Sequence, residues 1–228
     1  ANLERALLDG ANLSNSILTD AIISRASAID ADFTAANLTG ANMHRAILTR
    51  ANFEKANLAH VTLNLASMRN SILRDTLLSF TDFFMADLTF ADMTNAYMWQ
   101  GNMRRTRMQR VNISGVEFID SDLREARLSG AITNEATNFT KSWLEDTNLR
   151  GLDLTGVNFY KARMRNSILR DCILNGTNFE NADLGDSDLA DTSLEGTIFV
   201  NANLQNVILP KEGFGRELAK YGNTRMPD

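Results

Sequence analysis

Residues 1–25 read ANLER ALLDG ANLSN SILTD AIISR. Written in blocks of five, they place an apolar residue third in every block: Leu3, Leu8, Leu13, Leu18 and Ile23. The frame runs without a gap to Leu128, and only Ala28 departs from it. It resumes one residue out of step at Phe139, as TNFTK SWLED TNLRG LDLTG VNFYK, and continues to Leu209. All the other centres are Leu, Ile, Met or Phe. Two residues before a centre stands a small residue, usually Ala. The residue just before it is most often Asn or Asp, and the two after it are variable and mostly polar.

A period of five matches neither an amphipathic helix nor an alternating strand. Either would turn the Leu and Phe positions through all directions. The centres stay inward only if the chain turns a corner every five residues and winds around an apolar axis. The small residue then points inward as well, where room is scarce. Phe139, Phe159, Phe179 and Phe199 recur every twenty residues, as do Phe33 and Phe53. Like residues stacked above one another make favourable ladders. Twenty residues, or four blocks, therefore predict one coil with a square cross-section. At ~4.8 Å per coil, about ten coils make a rod on the order of 50 Å long.

The blocks ANLSN, ADFTA, ANLTG, ANFEK, ADLTF, SDLRE, ADLGD and ANLQN carry a resemblance. The chain resembles the pentapeptide-repeat family, whose pattern is A(D/N)LXX, over residues 1–209. The resemblance implies an all-β fold, a right-handed quadrilateral parallel β-helix. Residues 210–228, PKEGFGRELAKYGNTRMPD, leave the pattern. Pro210 is expected to stop the ladder. Phe214 to Tyr221 then reads as two helical turns ending at Gly222. Such a C-terminal cap would cover the last apolar cross-section and block end-to-end pairing. At the other end Ala1 opens directly in the repeat, with no Met and no cap, so upstream sequence is expected.

The frame slips within residues 129–138, SGAITNEATN. The octamer MRNSILRD at 68–75 returns at 164–171, an offset of nineteen blocks plus one residue, which argues for a single insertion. It is either a one-residue bulge in a surface turn or a short exposed loop able to bind. If Phe118 lies under Phe139, the coils stay stacked across it.

Composition narrows the chemistry. Of 228 residues, 44% are hydrophobic and 22% charged, which is ordinary for a globular domain. One Cys excludes a disulfide framework and a Cys-based zinc cage. His44 and His60 stand at outward positions without evident partners. Cys172 takes a small inward place and reads as packing. No apolar run approaches the ~20 residues of a membrane span. A net charge of −5 argues against direct nucleic-acid binding, which needs a basic footprint. Asn12, Asn37, Asn112 and Asn138 begin N-x-S/T sequons, but the repeat itself generates these. There is no phosphate-binding loop, nucleophile elbow or Ser/His pair. No cofactor or metal is expected.

Four surface or core features stand out. Met93, Met98, Met103 and Met108 are four successive centres; they read as an irregular core layer rather than a soft ligand pocket. Leu77, Phe80, Phe84, Met85, Phe90, Tyr97 and Trp99 occupy places that should face solvent. An exposed apolar cluster marks an interface, unless the faces of the rod scatter it. Leu77/Tyr97 and Ser79/Trp99 are twenty apart and should stack on one face. Arg104, Arg105, Arg107 and Arg110 crowd the next coil, with Glu117, Asp120, Asp122 and Glu125 opposing them. Glu180, Asp183, Asp186, Asp188, Asp191 and Glu195 form an acidic stretch, with no Lys or Arg between Arg170 and Lys211.

A rod with a packed axis offers no concave pocket for catalysis, so an enzyme is not expected. The leading expectation is a non-catalytic protein-protein interaction scaffold, alone or as one domain of a larger protein or effector, meeting another protein or itself through the apolar cluster. The alternative comes with the resemblance: some family members mimic DNA and bind type II topoisomerases such as gyrase, and spaced carboxylates on a rod could imitate phosphates. A soluble protein is expected, with the cytoplasm favoured.

Overall fold

The chain turns at the fifth residue of each block. Arg5, Asn15, Asp20, Arg25 and their successors take a left-handed φ of 51–64°, and glycines at the same place do likewise. The centre's carbonyl accepts the N–H three residues on, as from Ala6 to Leu3 at 3.0 Å. This is a β-turn whose third residue is left-handed. From Arg5 to Asn206 no Val, Ile or Thr stands at that left-handed place; branching at Cβ is least tolerated there.

The computed structural model describes residues 1–211 and 219–227. Each coil pairs in parallel with the next, twenty residues later. The pairs Asn2↔Ile22, Leu7↔Ser27, Asn12↔Asp32 and Ile17↔Asn37 begin four columns. These columns define faces one to four of a four-sided β-helix. Most pairings are single bridges. Longer pairings join β1 (Tyr97–Trp99) to β2 (Glu117–Ile119), and β3 (Thr197–Ile198) to β4 (Ala219–Lys220), both parallel.

The repeat letters now have physical reasons. Asn12 Oδ1 accepts the N–H of Ser14 at 3.0 Å and its hydroxyl at 2.7 Å. Asp32 does the same for Thr34. These local bonds favour Asn or Asp before the centre and Ser or Thr after it. They also engage the side chains of the sequons. The centres from Leu18 to Phe199 form one continuous core, and Met93, Met98, Met103 and Met108 are fully buried within it. Several Ser and Thr residues at the small inward place donate to a backbone carbonyl, as Thr81 does to Leu58 at 2.8 Å. Phe33 and Phe53 stack with centroids 4.8 Å apart. Phe118, Phe139, Phe159, Phe179 and Phe199 form a second stack at 5.0–5.4 Å.

The insertion is absorbed within one corner. Asn112 pairs with Ile132, an offset of twenty, while Glu117 pairs with Asn138, an offset of twenty-one. Between them Thr133 stands where an apolar centre would, and its hydroxyl donates to the Asp153 carbonyl. The Thr137 N–H closes a turn on the Asn134 carbonyl at 2.9 Å. Phe118 stacks on Phe139 at 5.1 Å, so the aromatic column crosses the slip intact.

The tail corrects one expectation. Residues 212–218, which carry most of the expected helix, lie outside the described residues. Ala219–Lys220 is a strand, and there is no helix among the described residues. Pro210 does not end the ladder: Ala219 pairs with Thr197, and the Leu204 N–H donates to the Arg225 carbonyl at 2.7 Å. Tyr221 adds a ring to the aromatic stack, 5.7 Å from Phe199 and tilted 8°. Asn223 takes the left-handed corner at φ 51°. Ala219-Lys220-Tyr221-Gly222-Asn223 is thus a further block, displaced by two residues from the frame. An exposed apolar cross-section favours an added ring over a polar helix.

Candidate protein-binding surface

Four of the seven apolar candidates come together. Leu77 and Tyr97 pair across adjacent coils on face four. The Phe80 N–H donates to the Trp99 carbonyl at 2.8 Å, at the corner between faces four and one. The Phe80 and Trp99 rings meet edge to face at 4.9 Å. His60, one coil earlier, stacks on Phe80 at 4.7 Å. The surface stays open to water: Leu77 is 49%, Phe80 38%, Tyr97 39% and Trp99 41% exposed. Phe80 also holds a left-handed φ of 59°. A bulky residue there costs about 1 kcal/mol or more, a strain that clusters at functional sites.

Phe84 continues this surface onto face one. It lines an open depression of about 470 Å³ with Gln100, Asn102, Asp120, Asp122 and Trp143. Trp143 was not singled out from the sequence. Its signal was a Trp just before a centre, where the repeat prefers Asn or Asp. The Arg124 guanidinium lies 4.8 Å above its ring and that of Arg163 5.4 Å, within cation–π range. Asp122 holds Arg124 through both carboxylate oxygens. Met85 and Phe90 do not join. Met85 sits at the corner between faces one and two, and Phe90 one corner further, under Arg110 at 5.5 Å.

The acidic stretch is not one face. Its residues wind around the rod, and arginines of the preceding coil pair with four of them. Arg165 reaches Asp186 and, at 3.6 Å, Asp183. Arg170 donates to Asp188 at 3.0 Å and stands 4.0 Å from Asp191. Glu180 accepts from Asn181 at 3.3 Å. The Glu195 N–H donates to Asn175 at 3.1 Å.

The mid-rod arginines are mostly paired as well. Arg104 and Arg105 both hold Glu125, at 2.8 and 2.7 Å, which keeps its carboxyl below the usual range. Arg69 and Arg107 flank Asp87 at 3.3 and 3.6 Å. Burial pushes the Asp87 carboxyl up, but the Thr89 hydroxyl and N–H and Arg69 outweigh it and hold it below its ordinary value. Asp92 is held down in the same way by Thr94 and Arg74. Elsewhere, burial pushes the Cys172 thiol up to about 11. His44 bonds Asn64 at 2.6 Å. No cluster of three metal-ligating side chains occurs among the described residues. No helix among them is long and apolar enough to cross a membrane.

Similar proteins share this architecture. HetL, a pentapeptide repeat protein involved in heterocyst differentiation regulation from the cyanobacterium Nostoc, superposes with a TM-score of 0.57 at 23% identity, covering 92% of this chain and 90% of its own. A trypsin-treated form of QnrB1, a plasmid-mediated fluoroquinolone resistance protein, gives 0.51 at 18% identity, covering 97% and 89%. At these identities the likeness is one of fold. No curated protein sequence matches the chain. The family model described as pentapeptide repeats (8 copies) matches residues 1–34, 29–64, 63–100 and 91–130, and one described as a pentapeptide repeat region matches 144–211. With the repeat, the four-sided coil and these matches in agreement, the chain belongs to the pentapeptide-repeat family.

Proposed function

We propose that this chain is a non-catalytic scaffold that binds another protein through the aromatic corner formed by Leu77, Phe80, Tyr97 and Trp99. One observation carries the reading. Phe80 is bulky, left-handed and exposed, and it is braced by His60 and Trp99. Folding would favour Asn, Asp or Gly at that corner, and solubility would favour a polar residue. Phe84 and Trp143, with the arginine above it, extend the surface in the aromatic-and-Arg composition of binding hot spots. Replacing Tyr97 and Trp99 by Ser tests it. The fold should survive, and a partner cross-linked to the wild type should be lost. Retention of the same partner by the double variant would remove the reading.

A second reading is a DNA mimic acting on a type II topoisomerase such as gyrase. The net charge of −5 and the rod shape favour it. The arginines set against Asp183, Asp186, Asp188 and Asp191 weigh against it, because they break up a continuous negative face. Gyrase supercoiling assayed with the protein, with and without a quinolone, separates the readings. Inhibition or protection supports mimicry, and no effect at micromolar protein excludes it.

A further inference from the structure

The corner between faces one and two has a polarity along the rod. Its residues, one per coil, are Arg5, Arg25, Arg45, Leu65, Met85, Arg105, Glu125, Asp146, Asn166, Asp186 and Asn206, all left-handed. The first three are exposed arginines stacked at about 4.8 Å per coil. None of the three forms an ion pair among the described residues. The middle is apolar, and the far half carries Glu125, Asp146 and Asp186, of which Glu125 is held by Arg104 and Arg105 and Asp186 by Arg165. Asp146 is exposed and forms no ion pair either. Uncompensated like charges in a stack are costly, so a row of three calls for an anionic counterpart.

We infer that the counterpart is the same corner of a second copy, packed antiparallel about a two-fold axis. Such a contact is isologous, so each residue faces its symmetry mate's partner. An axis between the coils of Asp87 and Arg107 on face two gives a register without like-charge meetings. Asp87 of one copy then faces Arg107 of the other, twice. Arg45 faces Asp146, Arg5 faces Asp186, and His44 faces Glu145. Leu65 and Met85 meet the aliphatic stems of Glu125 and Arg105. Face two carries an open groove of about 920 Å³ beside this corner, lined by Leu65, Met85, Arg107, Arg127, Glu125 and Asp146. Arg45 and the exposed Ile47 of the second copy would reach its Asp146 end. Two-fold register also explains why the charges segregate along the corner instead of alternating. Leu77, Phe80, Tyr97 and Trp99 lie outside this contact, so the inference does not depend on the scaffold reading.

Sedimentation over a concentration series tests it. The wild type should dimerise, and the dimer should weaken as salt rises. Arg45→Glu and Asp146→Arg should each raise the dissociation constant about tenfold or more. The double variant Arg45→Glu/Asp146→Arg should return toward wild type, because both ends of the pair are reversed. Glu and Arg already occupy this left-handed corner at Glu125 and Arg105, so the folds should hold, and circular dichroism checks that. A wild type monomeric at about 100 µM, a hundred times a micromolar dissociation constant, would overturn the inference. So would a double variant as weak as the single ones.

Discussion

Two sets of aromatic rings meet across neighbouring coils, and they teach opposite things. Phe139, Phe159, Phe179 and Phe199 stack inside the coil, fully buried, in parallel planes. Phe80 and Trp99 meet outside it, edge to face and open to water. The inner stack is what a four-sided coil needs to fill its axis. The outer pair fills nothing, and Phe80 adds backbone strain. The same chemistry therefore serves the fold in one place and is unexplained by the fold in the other. Stability and binding should separate along that line.

The largest test sets Phe159→Ala against Trp99→Ser. Removing the inner ring leaves a cavity between two stacked neighbours and should cost about 3–5 kcal/mol in denaturant unfolding. Removing the outer one should change stability by under about 0.5 kcal/mol. Its effect should fall on partner affinity, about 2 kcal/mol or more if Trp99 is an anchor. Equal destabilisation by both would erase the distinction between inner and outer rings.

Phe80→Asn sharpens the comparison at the backbone. Asn is the residue most at ease in the left-handed region after Gly. The variant should unfold about 0.5–1 kcal/mol later than wild type, on the scale of compatible turn substitutions, while binding its partner less well. A loss of stability would mean that the stacking of His60 and Trp99 on Phe80 outweighs the strain.

Most of the inner architecture was readable from the sequence, because one period fixes the coil and modular arithmetic fixes the columns. The stacking of Phe118 on Phe139 and the pairing of Leu77 with Tyr97 followed from counting. The outer surface was less readable. Counting by twenty also separates Met85 and Phe90 from Phe80, but adjacency in sequence suggested one cluster. The acidic stretch looked unopposed because no Lys or Arg lies within it. Its arginines, Arg165 and Arg170, are one coil back in the chain and directly below in space. The left-handed fifth place was missed although Asn, Asp and Gly fill more than half of it, because the many charged residues there made it look like any other solvent-facing position. The terminal block around Tyr221 escaped because a two-residue displacement and Pro210 precede it.

Outward carboxylates give a pH test of the paired coils. Asp87 and Asp92 have folded values below the ordinary one, so the folded state holds their protons less tightly than the unfolded chain does. Their contribution is therefore present above the unfolded value near 4 and lost as pH falls through the folded one. Thermal unfolding should hold steady from neutral pH to about 5 and weaken progressively below about 4. The loss should shrink in Asp92→Asn, measured against wild type at each pH.

The smallest effect concerns an inward group that titrates, Cys172. Cys172 is buried at a small corner place, and its Sγ donates to the Leu149 carbonyl at 3.0 Å. Burial disfavours the thiolate and pushes the thiol up to about 11. A thiolate is the reactive form, so the native protein should resist alkylation at pH 8 and react at once when unfolded. Cys172→Ala should alter stability little, because Ala already fills most equivalent places, such as Ala162 and Ala182. Because the folded value lies above the unfolded one, the unfolded chain loses this proton first as pH rises. The wild type should therefore lose a little stability above about pH 9 that Cys172→Ala keeps. Fast alkylation of the native protein would instead show that the coil opens at this corner, and that the inner column is less closed than its stacked rings imply.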